Sequence, residues 1–250
     1  MTTKLRIAVC NLQSGIGTTR GYWQYLTTGW KYGMPHDSRP IERAADFLRE
    51  EDIDVAALSE VEGGSRRSRG VDQLDLLATR SGLRDQHFFP TLMLGRRVNQ
   101  GNGVCARWPI IPVHNHPLPG PGEPRFLSEA RLILDDRSCR LFITHLSLDK
   151  PIRAPQIQHI VEHIGEQDVP TILAGDFNVK EDAELALIDE TIVTKAASAA
   201  TFPSWKPTKA LDHLFFSHHF ALSRVYAFDR YTFSDHLPLV VELDLVPRKS

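Results

Sequence analysis

The sequence predicts a layered α/β protein whose sheet faces are covered by helices, and three observations carry that expectation. Short apolar runs of strand length recur along all 250 residues, most of them bounded by Gly, Pro, Asp or Ser. A few stretches of 3.6-residue periodicity lie between them. No repeat of fixed period, low-complexity tract or linker interrupts the pattern, so one domain over residues 1–250 is expected.

The expected strands are LRIAVC (5–10), DVAALS (54–59), FFPTLML (88–94), ARLILD (130–135), RLFITHL (140–146), TILAG (171–175), LDHLFFS (211–217) and LPLVVELDL (237–245). The first helical pattern places Ile41, Ala44, Ala45 and Leu48 on one face. A second, VDQLDLLATRSG, stops at Gly82, and a third repeats the spacing with Ile157, Ile160, Val161 and Ile164 before stopping at Gly165. The Pro- and Gly-rich HNHPLPGPGEPR (114–125) reads as a long surface loop.

Composition narrows the function. A formal charge of −2 argues against a protein that holds nucleic acid by global charge. Local basic patches exist at Arg66, Arg67 and Arg69 and at Arg96 and Arg97. Cys10, Cys105 and Cys139 form no CxxC pair and fall in apolar runs, which predicts buried, inert thiols in a reducing compartment. The N-terminal apolar run is too short for a secretory signal, and no run reaches the length of a membrane span. A cytoplasmic location is expected.

Two motif matches are set aside. Residues 159–163 read H-I-V-E-H, the H-x-x-E-H pattern of some zinc peptidases. With Ile157, Ile160, Val161 and Ile164 setting the buried face, His159 and His163 are expected to face water. GIGTTRG (15–21) misses the dinucleotide-binding glycine pattern by one residue. Histidines 114, 116, 218 and 219 are expected to be surface loop residues.

The informative pattern is positional. IAVC runs into Asn11, DVAALS into Glu60, LFIT into His145, and TILAG into Asp176 and Asn178. Asp212 and His213 interrupt an apolar strand, and Asp235 and His236 open the last one. A lone Asp or Asn after a strand is usually a turn residue. Turn residues would scatter among Ser, Gly, Lys and Asn, whereas these positions supply carboxylates, amides and imidazoles. Two carboxylates about 4 Å apart repel by roughly 1 kcal/mol in water and about 4 kcal/mol at an effective dielectric of 20. A shared pocket therefore implies a hard divalent cation, Mg²⁺, Mn²⁺ or Ca²⁺.

Taken in order, CNLQSG, DVAALSEVEGG, GNGVCARWPI, FITHLSL, ILAGDFN, TFPSWKPTKALDHLFFS and SDHLPLVVEL resemble the endonuclease/exonuclease/phosphatase family over about residues 5 to 245. GDFN and SDH are specific in combination. The resemblance implies a four-layered α/β sandwich, two mainly antiparallel sheets face to face with helices outside, and a Mg²⁺-dependent phosphoesterase. By motif it implies Asn11, Glu60 and Asp235 as metal-site residues, with Glu60 the principal ligand. It further implies that Asp176 and Asn178 position or deprotonate the attacking water and hold a phosphate oxygen. His236 would bond the phosphate or take a proton, with Asp212 orienting it, and His145 would stabilise charge on phosphorus. Leu58-Ser59-Glu60 stands where the family usually shows Leu-Gln-Glu, which removes one supporting contact.

Substrate is less constrained. Arg66, Arg67, Asn102 and Arg125 are candidate phosphate contacts. YWQYLTTGWKY (22–32) holds two of the four tryptophans and three of the five tyrosines. Trp23 and Trp30 are expected to pack on the edge of the layers, the alternative being that they stack on a base, sugar or hydrophobic head. The expected activity is hydrolysis of a phosphodiester in nucleic acid, a lipid head group or a small molecule, with the protein a monomer by default. Alternatives are a phosphatase or head-group phosphodiesterase of the same family, and an inactive binding module on the same fold.

Overall fold

β8 is apolar along its length because both of its faces are covered: Ile172 and Ala174 enter the core between two sheets, and Leu173 packs beneath helices. The computed structural model describes residues 3–135, 137–165, 168–191 and 193–247. In chain order the elements are β1 (Lys4–Asn11), α1 (Trp23–Thr28), α2 (Arg39–Glu50), β2 (Val55–Glu62), α3 (Gln73–Ser81), β3 (Asp85–Leu94), β4 (Val98–Ala106), β5 (Ile110–Leu118) and β6 (Arg125–Leu134). There follow β7 (Arg137–His145), α4 (Lys150–Ile164), β8 (Thr171–Asp176), α5 (Ala186–Thr191), β9 (Thr194–Lys195), β10 (Asp212–Phe216), β11 (Phe220–Ala227) and β12 (Leu239–Leu245).

The strands form two six-stranded sheets, ordered β11-β12-β1-β2-β4-β3 and β5-β6-β7-β8-β10-β9. Each is antiparallel except for one central parallel pair, β1 with β2 and β7 with β8. A parallel pair needs a crossover, and helices supply it: α2 lies between β1 and β2, and α4 between β7 and β8. Ile7, Val9, Val55, Leu141, Ile143, Leu214 and Val241 fill the core between the sheets. Ile41, Ala44, Ala45, Phe47, Leu48, Leu74 and Leu77 cover one outer face, and Ile157, Ile160, Ile164 and Ile188 the other. The layers are therefore α/β/β/α, as expected.

The helices begin and end where their sequence directs. Asp72 caps α3 by accepting from the amides of Leu74 and Asp75, and Gly82 ends it at φ 80°. One expectation is corrected. Residues 114–118 are not loop but the end of edge strand β5, which pairs with β6 from Ile110↔Leu132 to Leu118↔Arg125. An edge strand has a free side on which Pro112 and Pro117 need no ladder donor, so prolines do not disqualify it. Cys10, Cys105 and Cys139 are buried thiols, and burial raises the pKa of each.

Leu141 is fully buried between the sheets. Leu141→Ala is expected to cost about 2–5 kcal/mol through lost transfer energy and the cavity left behind. Urea unfolding reads this as a lower midpoint at unchanged slope; an unchanged midpoint would show that this core is not limiting.

Candidate active site

Both parallel pairs end at the same edge of the sandwich, and register brings their last residues together. Asn11 ends β1 opposite Ser59, and Glu60 follows on β2. His145 ends β7 directly opposite Asp176 of β8, and Asp212 of β10 faces Asp176 from the other side. Two local distortions aim the side chains. The β2–β4 ladder slips between Leu58 and Val61, and Glu60 adopts φ 53° there. Gly175 has φ 148°, and a Cβ at that position would lie 1.9 Å from the Thr144 carbonyl oxygen. Only glycine lets β8 lie this close to β7.

The groups then interlock. Asn11 Nδ2 donates to Glu60 Oε1 at 3.1 Å and to Asp176 Oδ2 at 3.0 Å, while its Oδ1 accepts from the Gln13 amide at 2.9 Å. Asp176 Oδ1 accepts from the Asn178 amide at 3.0 Å, and Asn178 Nδ2 donates to the Leu146 carbonyl at 2.9 Å. His145 Nε2 lies 3.7 Å from Asp176 Oδ2 and 4.0 Å from Glu60 Oε1. His236 Nδ1 bonds Asp212 Oδ2 at 2.8 Å, and its Nε2 lies 3.8 Å from Asp176 Oδ2. Thr201 also donates to Asp212 Oδ2, at 2.5 Å. Tyr25 donates its hydroxyl to Asp235 Oδ2 at 2.6 Å.

Burial and charge set the proton affinities. Burial, then the charges of Asp235 and Asp176, push the pKa of Glu60 up to about 7. Burial pushes Asp176 up to about 6, opposed by His236. Burial holds His145 well below the usual histidine range, with Arg125 and His236 adding to the effect. Burial would lower His236 too, but the charges of Asp212 and Asp176 and the bond to Asp212 raise it to about 10. At neutral pH the pocket thus holds one imidazolium and one neutral imidazole. Clustered buried carboxylates whose charged forms are disfavoured fit a hard cation, which would relieve that cost. Glu60 and Asp235 line the cleft, and ligand atoms of Asp176, Asp212 and His236 lie within 4.8 Å of one another, whereas Asn11 turns its amide nitrogen toward Glu60 and Asp176 and orients them.

These residues line a cleft of about 600 Å³ with Gln13, Tyr25, Tyr32, Arg125, Lys180 and Lys209 among its other walls. Of the residues singled out in the sequence, Asn11, Glu60, His145, Asp176, Asn178, Asp235 and His236 all border it, and Asp212 lies directly behind His236. Three candidate phosphate contacts sit differently. Asn102 is buried between the sheets, where it donates to Ser128 Oγ at 2.9 Å. Arg66 is exposed and lies outside the cleft. Arg67 borders the cleft but is buried in an ion pair with Glu62, donating also to Ser14 Oγ at 3.0 Å and Gln100 Oε1 at 2.9 Å. Its guanidinium is already engaged. Trp23 and Trp30 do not pack on the edge: they are 58% and 55% exposed. Tyr25 and Tyr32 of the same segment reach the cleft instead. Lys180, two residues beyond Asn178, and Lys209, in the loop before β10, had only proximity to motifs to mark them.

A family model described as the endonuclease/exonuclease/phosphatase family matches residues 9–236. Among solved structures, an endonuclease/exonuclease/phosphatase from Beutenbergia cavernae is 21% identical with TM-score 0.75, covering 97% of this chain and 72% of that one. A Bacteroides thetaiotaomicron mannosyl-6-phosphatase is 19% identical with TM-score 0.71, covering 96% and 99%. A D. rerio TDP2 complexed with single strand DNA product is 18% identical with TM-score 0.67, again covering 96% and 99%. No curated protein matches the sequence.

Arg67→Met leaves buried Glu62 without its guanidinium partner, at an expected cost of about 3–5 kcal/mol in denaturant unfolding, whereas Arg66→Ala is expected to stay within about 0.5 kcal/mol. Equal effects would contradict the assignment. A second expectation concerns His236. A histidine raised in the folded state stabilises the fold fully below its unfolded value near 6.5, and that contribution is lost as pH rises through about 10. In metal-free protein its imidazole NMR signals should report the protonated ring at pH 8, and Asp212→Asn should bring the midpoint down toward the unfolded value. A wild-type midpoint near 6.5 would refute the pairing.

Proposed function

The chain belongs to the endonuclease/exonuclease/phosphatase family, whose members are phosphoester hydrolases, and from that premise we propose that it hydrolyses a phosphodiester by divalent-cation-assisted attack of water. The observation that supports this reading most is the convergence of Glu60, Asp176, His145 and the Asp212–His236 pair on one cleft. An inactive binding module would have no reason to retain buried carboxylates and a charged imidazole at this cost. We propose the whole chain, residues 1–250, as a single cytoplasmic domain.

A phosphodiester is anionic, so its attack by water requires charge to be neutralised. Glu60 and Asp235, both lining the cleft, would hold a Mg²⁺-class cation, which when bound would neutralise charge on the phosphate. Asn11 holds Glu60 and Asp176 in place through its two donated bonds. Asp176, its pKa near 6, accepts the proton of the attacking water as the phosphorus–oxygen bond to the leaving alcohol breaks, and the departing alkoxide takes a proton from solvent. Asn178 gives its amide N–H to Leu146, which leaves its side-chain oxygen to orient that water. His236, kept protonated by Asp212, donates to a phosphate oxygen through Nε2. His145, neutral, donates a second bond where charge develops.

Arg125, Lys180 and Lys209 add positive charge to the cleft walls without forming an extended basic track. With a net charge of −2 and a cleft of about 600 Å³, a small or single-site phosphoester fits better than a long duplex, whose binding draws on many phosphate contacts.

Glu60→Gln, Asp176→Asn and His236→Asn are each expected to lower kcat/KM for bis-p-nitrophenyl phosphate with Mg²⁺ by about 10²–10⁴-fold, with thermal unfolding retained. EDTA should abolish wild-type turnover. Full activity in any two variants would retire the assignment. A parallel panel of single-stranded DNA, abasic DNA, RNA, phosphoinositide, sphingomyelin and a sugar phosphate monoester identifies the substrate class, and exclusive monoester turnover would overturn the diester reading.

A further inference from the structure

Away from the cleft, histidines from two elements meet over a buried carboxylate on the outer face of the second sheet. His114 and His116 stand two residues apart on edge strand β5, hence on one face. His159 and His163 stand one turn apart on α4. The His116 ring centroid is 4.5 Å from that of His114 and 3.6 Å from that of His163, and His159 lies 6.3 Å from His163. Glu129 of β6, only 6% exposed, reaches into this group. Its Oε2 is 3.3 Å from His116 Nε2 and 4.0 Å from His163 Nε2. Nitrogen and oxygen donors of His116, Glu129 and His163 all lie within 4.8 Å of one another.

These placements correct two expectations. His116 is half-buried in a strand rather than exposed in a loop, and His163 faces the neighbouring strand rather than open water. Ile157, Ile160 and Ile164 of α4 are buried as their spacing predicts, but the helix lies along an edge strand whose own histidines flank it.

We propose that His116, His163 and Glu129 form a site for one Zn²⁺-class cation, with His159, His114 or water completing the coordination. At zinc–ligand bonds of about 2.0–2.1 Å, ligands of a tetrahedron stand about 3.3 Å apart. The 3.3 Å separation already matches, the 4.0 Å one closes with a movement of less than 1 Å, and the third pair, within 4.8 Å, closes with one of at most about 1.5 Å. Imidazole donors suit zinc and discriminate against Mg²⁺, which separates this site from the cation of the cleft. Glu129 Oε1 accepts from Arg140 Nε at 3.1 Å, which fixes the carboxylate with Oε2 toward the histidines. The nearby Arg140 guanidinium opposes a cation and limits the affinity. The role is structural: the ion would tie β5, at the edge of its sheet, to the helix that covers that sheet. A peptidase role is excluded by Glu162, the acid of the H-x-x-E-H motif, which is exposed and bonded by Gln158 at 2.8 Å.

The test uses the full chain in saturating Mg²⁺. Calorimetric titration with Zn²⁺ should show one equivalent bound, and Zn²⁺ at a hundred times its Kd should raise the unfolding midpoint by about 5–10 °C. The double variant His116→Asn/His163→Asn should lose both responses and keep its phosphodiesterase activity, while Glu60→Gln should keep both. Co²⁺ in the wild-type chain should give the visible absorption of a tetrahedral nitrogen–oxygen site, which requires no variant to fold. Undiminished Zn²⁺ binding by the double variant, or no Zn²⁺ or Co²⁺ signal in the wild type, overturns the proposal; either result leaves the cleft chemistry standing.

Discussion

The close approach of β7 and β8 at Gly175 is the constraint on which the cleft depends. It sets His145 opposite Asp176, and through the antiparallel neighbour β10 it sets Asp212 on Asp176's other side. Asp176 in turn meets the second sheet through Asn11, whose amide nitrogen bridges it to Glu60. Each sheet contributes one central parallel pair, and both pairs point their C-terminal ends the same way. A cleft assembled from strand ends holds its groups more rigidly than one assembled from loop tips.

Electrostatics divide the work among otherwise similar side chains. Two histidines stand within reach of Asp176, yet they carry opposite proton states. His236 has Asp212 on its Nδ1 at 2.8 Å and is raised to about 10, whereas His145, buried and near Arg125, lies 3.7 Å from Asp176 and 4.0 Å from Glu60 and is held low. The same reasoning separates the arginines. Arg67 compensates buried Glu62 and shapes the wall, while Arg125 remains at the cleft surface beside Glu123. Charge near an active site is not equivalent to charge available to a substrate.

How much was legible beforehand varies with the physical scale of the signal. The faces of α2 and α4 followed from 3.6-residue spacing, and the ends of α3 and α4 from glycine. The cleft residues were legible because each interrupts or follows an apolar run with a chemically specific side chain. The engagement of Asn102 and Arg67 is not legible locally because their partners are distant in the chain: Ser128 for Asn102, and Gln100 with Ser14 for Arg67. β5 was hidden by prolines, which local rules read as loop until edge position makes them permissible.

By itself the sequence determined the layered class, the helical faces and the cluster of residue types able to handle a phosphoester with a hard cation. These depend on periodicity and on side-chain chemistry, which are local. Tertiary structure alone decided which imidazole is charged, which arginine is engaged, and that Asn11 presents its amide nitrogen to Glu60 and Asp176. It also decided that four histidines from a strand and a helix gather around Glu129. Such properties depend on distances between residues far apart in the chain, and pairing register and layer packing alone set those distances.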